Sequence, residues 1–288
     1  MSQRFPILRQ AVRSALQWRL LLLWIVVGAI PTALLALPLT AFLATQLDYS
    51  VHAAEWASSV NIVMLADLMA QLKNAAGAFR GIAIAAVIAL LAGIPFLNAM
   101  FVGASRSDQA LPLGALLVAG LADYGPMLRL MLVSLLPLGI ALGLGALVMK
   151  GVHRYADRAI LESDADTATR AAEALAALLF VYAHAGVTAG RAWLAFDPNR
   201  RSAFKAWWRG AKLVFFHPLR SLGLYLTITL LAGLVLALLT LLRVELPTGT
   251  MWGFLVGFMV VQAIAAVTAW MHYARLFALL GLTRAQAG

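Results

Sequence analysis

The sequence predicts an all-α integral membrane protein with about six transmembrane helices arranged as three hairpins. Hydrophobic residues make up 63% of the 288-residue chain and charged residues only 12%, whereas soluble domains carry about 25% charged residues. Six apolar runs also reach the roughly 20 residues that an α-helix needs to cross a bilayer. We therefore expect the whole chain, 1–288, to form a single polytopic membrane domain.

The predicted spans are distributed along the whole chain. They cover residues 20–44, 81–104, 127–149, 171–192, 219–242 and 251–274. The first span follows a basic start, "MSQRFPILRQAVRSALQWR", of the kind found in signal peptides. Its apolar run is longer than the roughly 7–15-residue core of a cleaved signal, so we expect this helix to be retained.

The distribution of basic residues predicts the orientation of the spans. If the N-terminus is cytoplasmic, the inner segments hold 15 of the 22 Lys and Arg residues and the outer segments hold the other seven. Cytoplasmic loops of membrane proteins are enriched in Lys and Arg. We therefore expect both termini to be cytoplasmic, and we attribute the formal net charge of +10 to these inner segments.

The segment 197–220, "DPNRRSAFKAWWRGAKLVFFHPLR", predicts an amphipathic helix on the inner membrane surface. Asp197 and Pro198 are typical of a helix start, as the N-cap and the first helical residue. Apolar residues then recur at three- and four-residue steps, at Phe204, Trp207, Trp208, Ala211 and Phe215. A neighbouring stripe is basic, and it consists of Arg201, Lys205, Arg209 and Lys212.

This pairing of rings and cations predicts a binding surface for anionic lipid headgroups. A helix in the headgroup layer directs its rings toward the acyl chains and its cations toward lipid phosphates. A protein partner on the cytoplasmic face is the alternative, and no nucleic-acid partner is predicted. The candidate binding residues are Arg201, Lys205, Trp207, Trp208, Arg209 and Lys212.

A similar arrangement precedes three of the spans. "FPILRQAVRSALQWR" precedes the first, "LPLGALLVAGLADYGPMLR" the third and "SAFKAWWRGAKLVFFHPLR" the fifth, and each ends in an Arg that enters a span. We therefore predict three units, each with an interfacial inner helix, a span, an outer loop and a second span. Parallel repeats of this kind occur in transporters, although any protein with evenly spaced spans shows some such rhythm.

Two stretches resemble a known group of membrane proteins. "RAWLAFDPNRRSAFKAWWRGAKLVFFHPLRSLGLYL" and "LDYSVHAAEWA" are similar to segments of uncharacterised multi-pass bacterial inner-membrane proteins. The resemblance implies a six-span protein of the bacterial inner membrane. It supplies no catalytic residues.

No catalytic residue, metal or cofactor is predicted. The chain has no cysteine, and HExxH, GxSxG, GxxxxGK[ST] and GxGxxG motifs are absent from the sequence. Glu162, Asp164 and Asp166 lie together in an outer loop, but a calcium loop needs about six oxygen ligands and usually a glycine at its turn. Ser163 and Asp166 fit a capping box at the start of the fourth span better.

Polar residues within the spans are the remaining candidates, because burial in a bilayer makes such residues costly and they often mark pathways. Asn98, His184 and Gln262 define a candidate intramembrane polar path through spans two, four and six. For His184 the alternative is a hydrogen bond between helices. Arg191 and Arg275, at span ends, are expected to extend outward to lipid phosphates.

Three functions fit these observations. The first is a non-enzymatic scaffold or envelope-assembly factor whose basic inner face binds anionic lipid or a protein partner. The second is a transporter or lipid-translocating protein that uses the polar path. The third is an intramembrane enzyme acting on a lipid headgroup. We expect the first, because intramembrane acids and catalytic motifs are scarce in the sequence.

Overall fold

The computed structural model of the chain is helical throughout the regions that it describes. These regions are residues 4–47, 62–107, 109–157, 161–197, 202–246 and 250–287. They contain ten helices: α1 (Arg4–Ser14), α2 (Trp18–Leu47), α3 (Ile62–Asn74), α4 (Ala76–Arg106), α5 (Leu113–Ala122), α6 (Tyr124–Ala156), α7 (Glu162–Phe196), α8 (Ala203–Phe216), α9 (Pro218–Glu245) and α10 (Met251–Ala287). The predicted all-α class is confirmed for these residues.

Six of the described helices are long and apolar enough to cross a membrane. They are α2, α4, α6, α7, α9 and α10, and each coincides with one predicted span. Only 11–28% of the most apolar window of each helix is buried inside the protein. The remaining apolar surface faces outward over areas that a soluble protein rarely exposes. The fold therefore supports a multi-pass membrane protein.

The predicted helix start at Asp197 is wrong. Asp197 is the C-cap of α7 and has an extended backbone, with φ −118° and ψ 96°. It precedes Pro198, and the residue before a proline is disfavoured in the α region, so α7 ends there. The next helix begins at Ala203, where Ser202 is the N-cap and its Oγ accepts the backbone N–H of Lys205 at 3.5 Å.

The chain divides into two compact units. The first comprises residues 1–17, 98–233 and 270–288, and the second comprises residues 18–97 and 234–269. The first unit therefore contains the short helices α1, α5 and α8, and all of α6 and α7. Gln262 belongs to the second unit, whereas Asn98, His184 and the described candidate residues of α8 belong to the first.

Close helix contacts in the second unit are made at glycines. A Cβ added to Gly93 of α4 would lie 2.9 Å from Cγ1 of Val27 on α2. The guanidinium carbon of Arg243 on α9 would lie 3.2 Å from a Cβ added to Gly257 on α10. Neighbouring helices of this unit therefore approach one another where one of them lacks a side chain.

Each short helix of the first unit packs near the C-terminal end of a long helix. A Cβ added to Gly281 of α10 would lie 3.0 Å from Cγ2 of Ile7 on α1. On α5, Ala119 occupies the space that a Cβ on Gly103 of α4 would need. Helix α8 packs in the same way on α7. In chain order, the long helices that follow α1 are α2 and α4, those that follow α5 are α6 and α7, and those that follow α8 are α9 and α10. Helices α5 and α8 pack on the long helix that comes before them, α4 and α7, whereas α1 packs on the last long helix, α10.

Arg106 joins three of these elements at the end of α4. Its Nη1 donates to Oδ2 of Asp123, between α5 and α6, at 2.9 Å. Its Nε and Nη2 donate to the carbonyl oxygens of Ala195 and Leu194 at 3.3 and 3.4 Å. The last carbonyls of a helix have no intrahelical donor. Arg106 therefore satisfies the end of α7 while it holds α4 to the α5–α6 junction.

Candidate functional site

Helix α8 buries a face of small and aliphatic residues against α7. The buried positions are Ala203, Ala206, Gly210, Leu213 and Val214. A Cβ added to Gly210 would lie 2.7 Å from the carbonyl carbon of Ala189 and from the carbonyl oxygen of Gly186, and closer still to the nitrogen of Gly190. The two helices therefore meet backbone to backbone, as small residues allow between membrane helices.

The predicted aromatic stripe of α8 lies mostly on its outer side. Phe204, Trp208 and Phe215 are 55%, 50% and 71% exposed. Trp207 is half-buried, because its backbone lies against Gly190, 2.9 Å from an added Cβ. The sequence predicted the outward rings but not the third, small-residue face that attaches α8 to α7.

The structure places five of the six predicted binding residues on α8, and we term them the basic–aromatic surface: Lys205, Trp207, Trp208, Arg209 and Lys212. The sixth, Arg201, lies outside the described residues. All three cations are exposed. The guanidinium carbon of Arg209 is 5.5 Å from the ring centroid of Trp193 on α7, and Nζ of Lys212 is 5.9 Å from that of Trp208. These distances are within the range of cation–π attraction.

His184 links α7 to α9. The hydroxyl oxygen of Tyr225 lies 2.8 Å from Nδ1 of His184, and Tyr225 is buried. Thr188, one turn after His184, donates its hydroxyl to the carbonyl oxygen of His184 at 2.8 Å. The interhelical hydrogen bond considered for His184 is therefore present. Tyr225 was not identified from the sequence, because a tyrosine in an apolar span gives no indication of its partner.

Asn98 links α4 to α10. Its Oδ1 lies 2.9 Å from Nε2 of His272, and since an amide oxygen only accepts, Nε2 is the donor. The ring of Phe101, one turn after Asn98, stacks on Tyr273 with the centroids 6.1 Å apart and an interplanar angle of 11°. Asn98 is buried together with both rings. It therefore takes part in the packing of this unit.

Arg275 is buried beside the His184–Tyr225 pair. Its guanidinium carbon lies 4.5 Å from the ring centroid of Tyr225, and the residue is only 9% exposed. Nη2 contacts Sδ of Met271 at 3.0 Å, while the buried Nε has no hydrogen-bond partner among the described residues. The expectation that Arg275 extends outward to lipid is therefore wrong, because packing against Tyr225 holds its guanidinium inside the protein.

Arg191 lies at the edge of the same region. It follows His184 by seven residues, which is two helical turns, and is half-buried. The two side chains therefore lie on the same face of α7, and the ring of His184 contacts the Tyr225 hydroxyl. We term this group the polar cluster: Asn98, His184, Arg191, Tyr225, His272 and Arg275. Four helices contribute to it.

The polar cluster is rich in positive charge. Its two arginines are formally charged, and neither lies within 4.0 Å of a carboxylate oxygen in the part of the chain that the structure describes. Gln262, the third predicted path residue, lies in the second unit and is half-buried on α10. The described residues also contain no group of three His, Asp or Glu side chains placed to hold a metal ion.

A polar cavity of about 630 Å³ lies between α1 and the ends of α4 and α10. Its polar wall residues include Gln10, Ser14, Gln17, Ser105, Gln109 and Arg284. Nη2 of Arg284 donates to the carbonyl oxygen of Ser105 at 2.9 Å. The indole N–H of Trp270 also donates to the carbonyl oxygen of Val12, at 3.3 Å, and joins α1 to α10. The wall consists of segments far apart in sequence, so the cavity was not predictable from sequence patterns.

Comparison with known protein families, curated proteins and solved structures found no match to this chain. The resemblance noted from the sequence therefore stays a prediction. Any function has to be inferred from the two groups of residues that the fold assembles, the basic–aromatic surface and the polar cluster.

Proposed function

We propose that this chain is a non-enzymatic protein of the bacterial inner membrane, a scaffold or envelope-assembly factor that binds anionic lipid headgroups through α8. One observation supports this best. Gly210 fastens one face of α8 to the backbone of α7, while Lys205, Arg209 and Lys212 remain exposed on other faces beside exposed rings. A fixed helix with outward cations and rings has the chemistry of the headgroup layer.

The packing of the short helices supports the proposed three-hairpin arrangement. Helices α1, α5 and α8 each precede a pair of long helices, and each makes a close contact near the end of another long helix at a glycine of that helix. Three equivalent contacts are what a threefold repeat of one short helix and two long helices would give. In this arrangement the short helices lie at the cytoplasmic membrane surface, with both chain termini on the same side.

Spin-labelled lipids test the lipid-binding role in vesicles that contain the reconstituted protein. Electron paramagnetic resonance measures the preference of the protein for phosphatidylglycerol over phosphatidylcholine. Each cation near an anionic surface contributes about 1 kcal/mol, so the K205Q/R209Q/K212Q variant is expected to lose about tenfold or more of this preference. The matched control, K73Q/K150Q/R154Q, removes three exposed cations elsewhere and should retain it. Equal losses in the two variants would contradict a role for α8.

Lipid translocation remains the second candidate, because the polar cluster lies within long apolar helices. Two members of the predicted path, Asn98 and His184, are each engaged in a hydrogen bond between helices, which favours a role in packing. The H184A and Q262A variants distinguish the two functions in vesicles with fluorescent lipids. Loss of transbilayer lipid movement in either variant would favour translocation, whereas unchanged lipid binding without any movement would favour the scaffold.

A further inference from the structure

We propose that the polar cluster is a binding site for a single phosphate group, which the guanidinium groups of Arg191 and Arg275 hold. This site is separate from the basic–aromatic surface and does not depend on it. Two positive charges, several hydrogen-bond donors and partly exposed side chains come together there.

The charge of the cluster is uncompensated among the described residues. A guanidinium removed from water is costly unless an anion and hydrogen bonds offset the loss. Arg275 is 9% exposed and its buried Nε lacks a protein partner in the described regions. The Tyr225 ring covers one face of its guanidinium but supplies no negative charge. A bound anion would supply both the charge and the hydrogen-bond acceptors.

Part of the cluster is accessible. Arg191, His184 and His272 each keep some exposed surface, whereas Arg275 is 9% exposed. Arg191 lies five residues before the end of α7, which is roughly 7.5 Å at 1.5 Å per residue. This depth suits the phosphate of a lipid whose chains remain among the long helices, and also a free phosphate that enters from the membrane surface.

The donors fit a phosphate better than a carboxylate. Guanidinium groups bind phosphate oxygens in pairs of parallel hydrogen bonds, and here two guanidiniums come from different helices. His184 directs Nδ1 toward the Tyr225 hydroxyl, so its Nε2 is the nitrogen available to a ligand. When the hydroxyl donates to Nδ1, Nε2 bears the proton and is a third donor. Two guanidinium groups and an imidazole provide donors for the several oxygens of a phosphate. A carboxylate offers only two oxygens to these three donor groups.

Ligand-induced thermal stabilisation of the full-length, delipidated protein in neutral detergent tests this proposal. Three probes are titrated: short-chain phosphatidylglycerol, a diacylglycerol with the same chains, and inorganic phosphate. A ligand that binds only the folded state raises the melting temperature in a saturable way. We expect saturation with a phosphate-bearing probe and none with the diacylglycerol. Saturation by phosphatidylglycerol alone identifies a lipid headgroup, and saturation by inorganic phosphate identifies a free phosphate.

Substitutions locate the binding site. Loss of a hydrogen-bonded charge weakens affinity by about tenfold to a hundredfold, which is the effect expected for R191Q and R275Q. R191K, which retains the charge, should bind more tightly than R191Q. The control R220Q removes an exposed arginine at the start of α9 and should bind as wild type. The K205Q/R209Q/K212Q variant should also retain this saturable binding, which separates the site from α8.

Several outcomes would overturn the proposal. These are the absence of saturable stabilisation by either phosphate probe, equal stabilisation by the diacylglycerol, and an affinity of R191Q equal to that of R220Q. If R275Q does not fold, the affinity of R191Q alone tests the proposal. Arg191 is half-buried and makes no hydrogen bond to another described side chain, so its substitution should leave the fold intact.

Discussion

The contact between α7 and α8 gives the sharpest prediction, for the substitution Gly210→Ala. The new Cβ would lie 2.7 Å from two backbone atoms of α7, those of Ala189 and Gly186, and closer still to the nitrogen of Gly190. Ordinary Cβ contacts begin at 3.4 Å, so α8 has to retreat by at least about 0.7 Å. Backbone atoms cannot rotate away as a side chain would, and the whole helix therefore has to move.

The expected loss follows from this displacement. A gap of about 0.5–1 Å forfeits a quarter to a half of the dispersion energy across an interface, and overpacking of a tight contact costs about 1–3 kcal/mol. The higher helix propensity of alanine offsets up to about 1 kcal/mol. We therefore expect Gly210→Ala to destabilise the protein by about 1–2 kcal/mol. Gly190→Ala, whose Cβ would meet the backbone of Trp207 at 2.9 Å, should act in the same direction.

Two glycines serve as matched controls. Gly143 on α6 and Gly233 on α9 are helical, and an added Cβ would meet nothing within 4 Å at either position. Alanine there should leave stability unchanged or raise it by up to about 1 kcal/mol. The assay is equilibrium unfolding in mixed micelles with tryptophan fluorescence as the signal. If Gly210→Ala is as stable as Gly143→Ala, the backbone contact between α7 and α8 does not exist as described.

Three further predictions concern other contacts. Arg106→Gln should destabilise the protein by about 1–3 kcal/mol, since it removes an ion pair and two hydrogen bonds to the end of α7. Asp123→Asn removes only the partly exposed ion pair and should cost less than about 1 kcal/mol. Unfolding titrations compare the free energies of unfolding of the two variants. Tyr225→Phe should cost about 1 kcal/mol and leave the ring under Arg275 in place; an unchanged unfolding midpoint would argue against the His184 hydrogen bond. Because the chain has no cysteine, single cysteines at Ser14 and Thr250 report topology: an impermeant maleimide added outside should label Thr250→Cys and spare Ser14→Cys.

The six long helices were predictable because length and hydropathy alone decide whether a helix can span a bilayer. The close-packing role of Gly186 and Gly190 was also predictable, since small residues spaced four apart mark helix contacts in membranes. The helix that these two glycines contact, α8, was not predictable. Gly210 lies in a different helix, and a glycine in a basic, aromatic segment gives no sign of the surface that it touches.

Hydrophobic periodicity identified α8 as amphipathic but could not distinguish a lipid-facing side from a protein-facing side. In water, the apolar face of a helix is the buried one. In a membrane, both lipid and protein offer apolar surroundings, and residue size then decides which face packs. The large rings of Phe204 and Phe215 are exposed while Ala206 and Gly210 are buried. The small-residue face of α8 that packs on α7 was therefore not predicted from the sequence.

The position of an arginine in the sequence likewise does not reveal whether its side chain is exposed or buried. Arg220 and Arg275 both lie near the ends of predicted spans, and both were assigned to the inner side of the membrane. Arg220 is exposed, whereas Arg275 lies over the ring of Tyr225 with its Nε buried. A count of basic residues thus predicts the side of the membrane but not the partner of each cation. Tertiary packing decides which arginine is exposed and which one is buried against a ring.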